Sequence, residues 1–98
     1  MKNLSNYENY PMPRIGETVY LVYKNEIFKE KVYAIGEGFF IPTEYKKMRE
    51  PLVEVRFSDY YDKWFLEFDK AKDKVLDLLT DEWDIIQGEE NWWYASKI

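Results

Sequence analysis

The sequence predicts a mainly β, α+β domain: five short strands curled into a half-open barrel, closed by an amphipathic helix and followed by an acidic C-terminal appendage. Three observations carry this. Between Thr18 and Phe57, short β-branched and aromatic runs alternate with turn residues, the pattern of consecutive strands. At Lys63–Leu79, KWFLEFDKAKDKVLDLL, the apolar period changes from 2 to about 3.6, so a strand passes directly into a helix. Beyond Leu79 the chain turns acidic and rich in tryptophan.

Residues 1–13, MKNLSNYENYPMP, are polar and show no periodicity; they read as a flexible arm with Tyr7 and Tyr10 as candidate anchors. Arg14-Ile15-Gly16-Glu17 leads into a first strand, Thr18–Lys24, with Val19, Leu21 and Tyr23 on one face and Tyr20 and Val22 on the other. Lys24-Asn25-Glu26 is a turn in which Asn25 suits a positive φ. The second strand, Ile27–Ile35, has a polar middle, Lys29-Glu30-Lys31, which predicts exposure or a bulge. Gly36-Glu37-Gly38 turns the chain into a third strand, Phe39–Ile41. Pro42–Pro51, PTEYKKMREP, is the longest internal loop. Leu52–Phe57 resumes alternation with Val53, Val55 and Phe57 inward, and Ser58–Asp62 turns into the fifth strand, Trp64–Leu66.

From Phe68 to Leu79 the residues Phe68, Ala71, Val75, Leu78 and Leu79 fall at spacings of three and four and share one helix face; Lys70, Lys72, Asp73, Lys74 and Asp77 cover the other. Such a stripe must be buried, and the strands before it are the available partner. Val19, Leu21, Ile35, Val53, Val55, Phe65, Val75 and Leu79 are expected to share one core. Five short strands with tight turns, then a helix, describe a small barrel of the SH3-like kind over residues 14–79, with residues 80–98 packed on the same domain.

That last segment admits two readings. Thr80 suits a helix N-cap, Asp81 and Glu82 its first turn, and Gly88 its end, with Trp83 and Ile86 continuing the stripe and Trp92–Tyr94 extended afterwards. Alternatively, Trp83–Ile86 pairs with Trp92–Ala95 as a hairpin across Gln87–Asn91. The helix is the preferred reading.

Composition narrows the chemistry. With 46% hydrophobic and 34% charged residues the chain belongs among ordinary globular domains, and its 19% aromatic content means that large rings supply much of the core. There is no cysteine and no histidine, which excludes disulfides, thiolate nucleophiles, Cys- or His-ligated metals and the commonest general base. No apolar run approaches the ~20 residues of a membrane span. No signal-peptide h-region opens the chain, so the expected location is cytoplasmic. The net charge of −5 is unevenly placed: residues 1–66 carry ten acids and ten bases, residues 67–98 nine acids and four bases. No Lys or Arg occurs between Val75 and Ser96.

The order Gly16-Glu17-Thr18-Val19-Tyr20, then Ile27…Val32…Ile35, then Lys63-Trp64-Phe65-Leu66 running into Asp69-Lys70-Ala71 resembles a broad family of small proteins of phages and mobile elements in Gram-positive bacteria. The likeness covers Arg14–Leu79. It departs from the family pattern at Glu17, where Asp is usual, at Trp64, and at Glu67, where a capping Thr is usual. What it implies is the barrel-plus-helix fold and a phage-like origin; it supplies no catalytic residue.

Three surface features are candidates for function. The first is the acidic–aromatic extension: Asp77, Asp81, Glu82, Asp84, Glu89 and Glu90 among Trp83, Trp92, Trp93 and Tyr94. Large rings flanked by carboxylates suit an interface with a basic protein partner, since rings supply buried area and charges steer association. The competing reading has the tryptophans finishing the core and the acids solvating its outside. The second is the loop Tyr45, Lys46, Lys47 and Arg49, the one basic cluster, which would contact nucleic acid in an accessory-protein reading; the acidic third of the chain works against it. The third is the set of carboxylate pairs, Asp59/Asp62 or Asp81/Asp84, which carry no catalytic signal in a chain of nineteen acids. The sequence therefore predicts a non-enzymatic binding protein with no cofactor and no metal. By analogy with its phage-like resemblance, the partner to expect is a nuclease of host defence such as a CRISPR effector, with this chain an anti-CRISPR-like inhibitor.

Overall fold

Strand β2, Glu26–Ile35, is the element on which the others assemble in the computed structural model, which describes residues 10–42, 54–79 and 82–98. Strand β1, Thr18–Tyr23, pairs antiparallel with its first half through the two-residue turn Lys24-Asn25. Lys24, not Asn25, takes the left-handed conformation there, at φ 58°. Strand β3, Phe39–Pro42, pairs with the far half of β2, beyond a bulge between Val32 and Ala34. Strand β4, Val55–Arg56, pairs with β3; a single 3-10 turn, Phe57–Asp59, follows it, and strand β5, Trp64–Phe65, returns to β1. The order β4-β3-β2-β1-β5 is an antiparallel sheet curled into a half-barrel. Helix α1, Phe68–Asp77, follows β5 directly, as the change of period predicts.

The C-terminal segment is a hairpin, and the helical reading of it is wrong. Strands β6, Trp83–Glu89, and β7, Trp92–Lys97, pair antiparallel around Glu90-Asn91. Strand β7 then joins the free side of β2, with Glu26 opposite Tyr94, Ile27 opposite Trp93 and Phe28 opposite Trp92. The Ala95 N–H donates to the Asn25 carbonyl at 3.0 Å, and the Lys29 N–H to the Asn91 carbonyl at 2.9 Å. A helix in this segment would leave those β2 groups without their strand partner. The hairpin is thus part of the main sheet.

The expected single core is two. Strand β1 alternates between them: Val19 and Leu21 join Phe28, Val32, Phe40, Val55, Phe57 and Trp64 inside the half-barrel, while Val22 joins Ile27, Phe65, Ala71 and Val75 beneath the helix. Leu79 packs against the second cluster from its margin. Ile35 belongs to neither and is 41% exposed, because the bulge re-aims the end of β2. Leu78, placed on the buried helix face by spacing, is 62% exposed at the C-cap, where the helix has ended. Val53 lies outside the described residues, as does most of the Leu52–Phe57 strand before Val55. Tyr10 packs against the first cluster.

Helix α1 starts at Glu67, whose backbone is extended at φ −125° and ψ 136° but whose side chain makes no capping bond. A Ser there would accept a hydrogen bond from an orphan N–H of the first turn. Glu67→Ser should stabilise the domain by about 0.5–1 kcal/mol, raising the thermal midpoint by roughly 4 °C as read by circular dichroism. Among the described residues no helix is long and apolar enough to cross a membrane.

Candidate functional site

Strand β7 follows β2 only as far as Phe28. One more bond follows, from the Lys29 N–H to the Asn91 carbonyl, and past it a cavity of about 290 Å³ opens in a fork between β2 and the hairpin tip, lined by Glu26, Phe28, Glu30, Glu89, Glu90, Asn91 and Trp92. Its floor comes from β2, where period-2 alternation aims Glu26, Phe28 and Glu30 to one side. Phe28 belongs to the barrel core, and Glu30 is 5% exposed, an acidic side chain in the middle of an apolar strand face. The rim comes from the hairpin tip, which contributes Glu89, Glu90 and Asn91. Trp92 forms the wall between them: its Nε1–H donates to Glu26 Oε1 at 2.8 Å, and its ring lies 5.2 Å from that of Tyr94.

Gly88 sets the position of that wall. It occupies the bulge between Gln87 and Glu89, and the six-membered ring of Trp92 passes over it where a Cβ would collide with the ring carbons. The glycine that suits a helix end in the sequence is there for close approach of an aromatic ring. Four carboxylates, an indole and no base therefore line one concave site. Such a site attracts a cation: carboxylates supply charge and acceptor oxygens, and an indole face adds cation–π attraction. Among the described residues no group of three or more acids is arranged to hold a metal ion.

The sequence-derived candidates separate into several places. Glu89, Glu90 and Trp92 line the fork. Trp93 points to the other side of the sheet, where its ring lies 4.8 Å from Phe68 and 6.4 Å from Tyr20. Trp83 and Tyr94 are half-buried in the hairpin. Asp84 is exposed on β6, where it accepts the Ile85 N–H at 2.8 Å and lies 3.8 Å from Lys72 Nζ. Glu82 is exposed at φ 51°, and its carbonyl accepts the Ile98 N–H at 2.7 Å. Asp77 sits on the helix, lining a shallow depression with Tyr61, Phe65, Lys70, Asp73 and Lys74. Asp81 and the basic group Tyr45, Lys46, Lys47 and Arg49 lie outside the described residues. Sequence reasoning missed Glu26, Phe28, Glu30 and Asn91. The available signal was Phe28-x-Glu30-x-Val32, which sets an acid between two core residues on one strand face.

A shift in acidity lies elsewhere among the described residues. The Tyr60 hydroxyl is pushed up from 10.0 to about 12, first by burial, then by the hydrogen bond and charge of Tyr61, and least by Glu67. Tyr61 reaches it through a left-handed backbone at φ 71°, with ring centroids 4.3 Å apart. Between those pH values the folded state holds a proton that the unfolded state has lost, so the contribution is complete below pH 10.0 and is lost as pH rises toward about 12. Tyr60→Phe should flatten the alkaline limb of a stability–pH profile measured by urea denaturation.

Comparison of the chain with family models, with curated proteins and with solved structures returns no match.

Proposed function

We propose that this chain is a non-enzymatic binding protein that docks a basic surface of a protein partner in the acidic–aromatic fork between β2 and the C-terminal hairpin. The observation that carries the reading is the lining of the fork: Glu26, Glu30, Glu89 and Glu90 beside Trp92, with no base among them. An arginine or lysine of the partner enters beside the Trp92 ring, which its bond to Glu26 holds in place. Glu89 and Glu90, exposed at the rim, steer the encounter, and the half-buried ring and inner acids set how long it lasts. The absence of histidine and cysteine from the sequence argues the same way, since it removes the groups that most often carry catalysis.

The half-barrel fits the SH3-like reading in its strand order and in the single 3-10 turn between β4 and β5. The phage-like resemblance of Arg14–Leu79 extends the proposal to a partner: a nuclease of host defence, whose nucleic-acid channel is basic and whose phosphate contacts acidic side chains can mimic, with the host cytoplasm as the place of action.

The test is capture from a bacterial lysate, run in parallel with the native chain and with Glu89→Lys/Glu90→Lys. The doubly reversed variant should keep its thermal midpoint, because both side chains are exposed, and should lose the retained partner. Retention of the same protein by both chains would overturn the reading.

A further inference from the structure

Strand β6 has a side that no described strand covers. It pairs with β7 along one side, and β7 continues to β2 on the other. The hydrogen-bond phase is fixed at two points. The Ile98 N–H donates to the Glu82 carbonyl, so the alternate pairs Asp84–Ser96 and Ile86–Tyr94 are the bonded ones. The Ala95 N–H points away, to Asn25 on the β2 side, so its opposite residue Ile85 does not bond to β7. Trp83, Ile85 and Gln87 therefore turn their main-chain N–H and C=O groups outward. Seven residues of strand carry an exposed row of donors and acceptors, the template that exposed sheet edges offer to another chain.

One of those donors already has a substitute partner. The Ile85 N–H bonds to Oδ1 of the adjacent Asp84 at 2.8 Å, as it would to the carbonyl of a neighbouring strand. Around it, Glu82, Asp84, Glu89 and Glu90 are all exposed, and the sequence has no base from Val75 to Ser96. One cation, Lys72 from the helix, lies 3.8 Å from Asp84 across solvent-exposed side chains. The bulge between Gln87 and Glu89 ends the regular edge there, so pairing is available from Trp83 to Gln87, and the carboxylates around it select what pairs.

We infer that the outer edge of β6 takes an extended basic segment of a protein partner as an additional antiparallel strand, with Asp84 acting as the exchangeable cap of the empty edge. This rests on the proposed function in that the partner is basic, but it assigns a different surface and a main-chain mode of recognition. On docking, a carbonyl of the incoming strand takes over the Ile85 N–H. The released Asp84 carboxylate then pairs with a basic side chain of that strand. Alternation of the incoming residues places bases beside Asp84 and apolar side chains beside Ile85, which packs toward the helix cluster. A second copy of this chain is the poorer occupant, because it would bring another acidic edge to this one.

The experiment titrates the ¹⁵N-labelled full chain with a ten-residue peptide of alternating Lys and Val, and with the same peptide N-methylated at every residue, which removes the donors of both its edges. The unmodified peptide should bind, shift the Ile85 and Gln87 amides, and slow their hydrogen exchange at least tenfold. The methylated peptide should bind at least tenfold more weakly. Gln87→Pro, which deletes an outward N–H at an exposed residue and leaves the β7 bonds in place, should weaken binding similarly. If that variant fails to fold, the methylated peptide decides. Equal binding of the two peptides, or no binding of either, overturns strand addition. Failure of the fork reads separately: a ligand that shifts the Trp92 indole N–H and spares Ile85 and Gln87 supports the fork and overturns the edge.

Discussion

Trp64→Ala should cost about 3–5 kcal/mol, a large part of the roughly 5–15 kcal/mol available to a domain of this size. Trp64 is fully buried, and its ring lies 5.3 Å from Phe40 in an edge-to-face arrangement and 4.7 Å from Tyr60. It stands on β5, the last strand of the half-barrel, so it joins the strand that ends the curl to the interior of β3. Truncation leaves a cavity at the centre of the first cluster. It also removes the indole N–H that donates to the Phe57 carbonyl at 3.1 Å, the bond that ties β5 to the 3-10 turn. Trp64→Phe separates the two losses: it keeps most of the volume and gives up the bond, so about 1–2 kcal/mol is expected. Urea midpoints at constant slope measure both. A cost below about 1 kcal/mol for Trp64→Ala would mean that the ring is not the centre of the core.

The strand–helix junction was legible because its signal is local: Trp64 and Phe65 are consecutive and buried, and Ala71 and Val75 recur at helical spacing. Strand β1 was legible for the same reason, although its two apolar faces, read toward one core, serve two. The hairpin was misread because Trp83 and Ile86 lie three apart, between a Thr and a Gly that suit helix ends. What decides the matter is β2, and the Glu26–Trp92 bond spans 66 residues of sequence, beyond the reach of any periodicity. The candidate site divides along the same line. Its rim, Glu89, Glu90 and Trp92, stands out in the composition of the last residues. Its floor does not, because Glu30 between Lys29 and Lys31 looks like any solvated stretch until the strand is folded and its alternate side is seen to be inside.

Trp93→Ala should destabilise the domain by about 2–4 kcal/mol, while changes at the hairpin tip leave stability nearly untouched. Trp93 stands opposite Ile27 in the β2–β7 pairing, and its ring closes an aromatic group with Phe68 from the helix and Tyr20 from β1, themselves 5.8 Å apart. It therefore joins three elements that otherwise meet only at the second cluster: sheet, helix and hairpin. The value lies below that of a central core tryptophan because the residue is half-buried and water can enter part of the space it vacates. Converted at roughly 4–8 °C per kcal/mol, the thermal midpoint should fall by at least 8 °C. Trp92, one residue along the strand, turns to the opposite face, where it packs against the first cluster and lines the fork. Trp92→Phe, which gives up the bond to Glu26, should therefore lower the midpoint less than Trp93→Ala and weaken capture of a basic partner. A Trp93→Ala chain that keeps its midpoint would release the hairpin from the sheet and return both rings to the surface. A fall much larger for Trp93→Ala than for Trp92→Phe makes the first ring the tie between helix and hairpin, while the second packs on the half-barrel core and keeps its fork side for the partner.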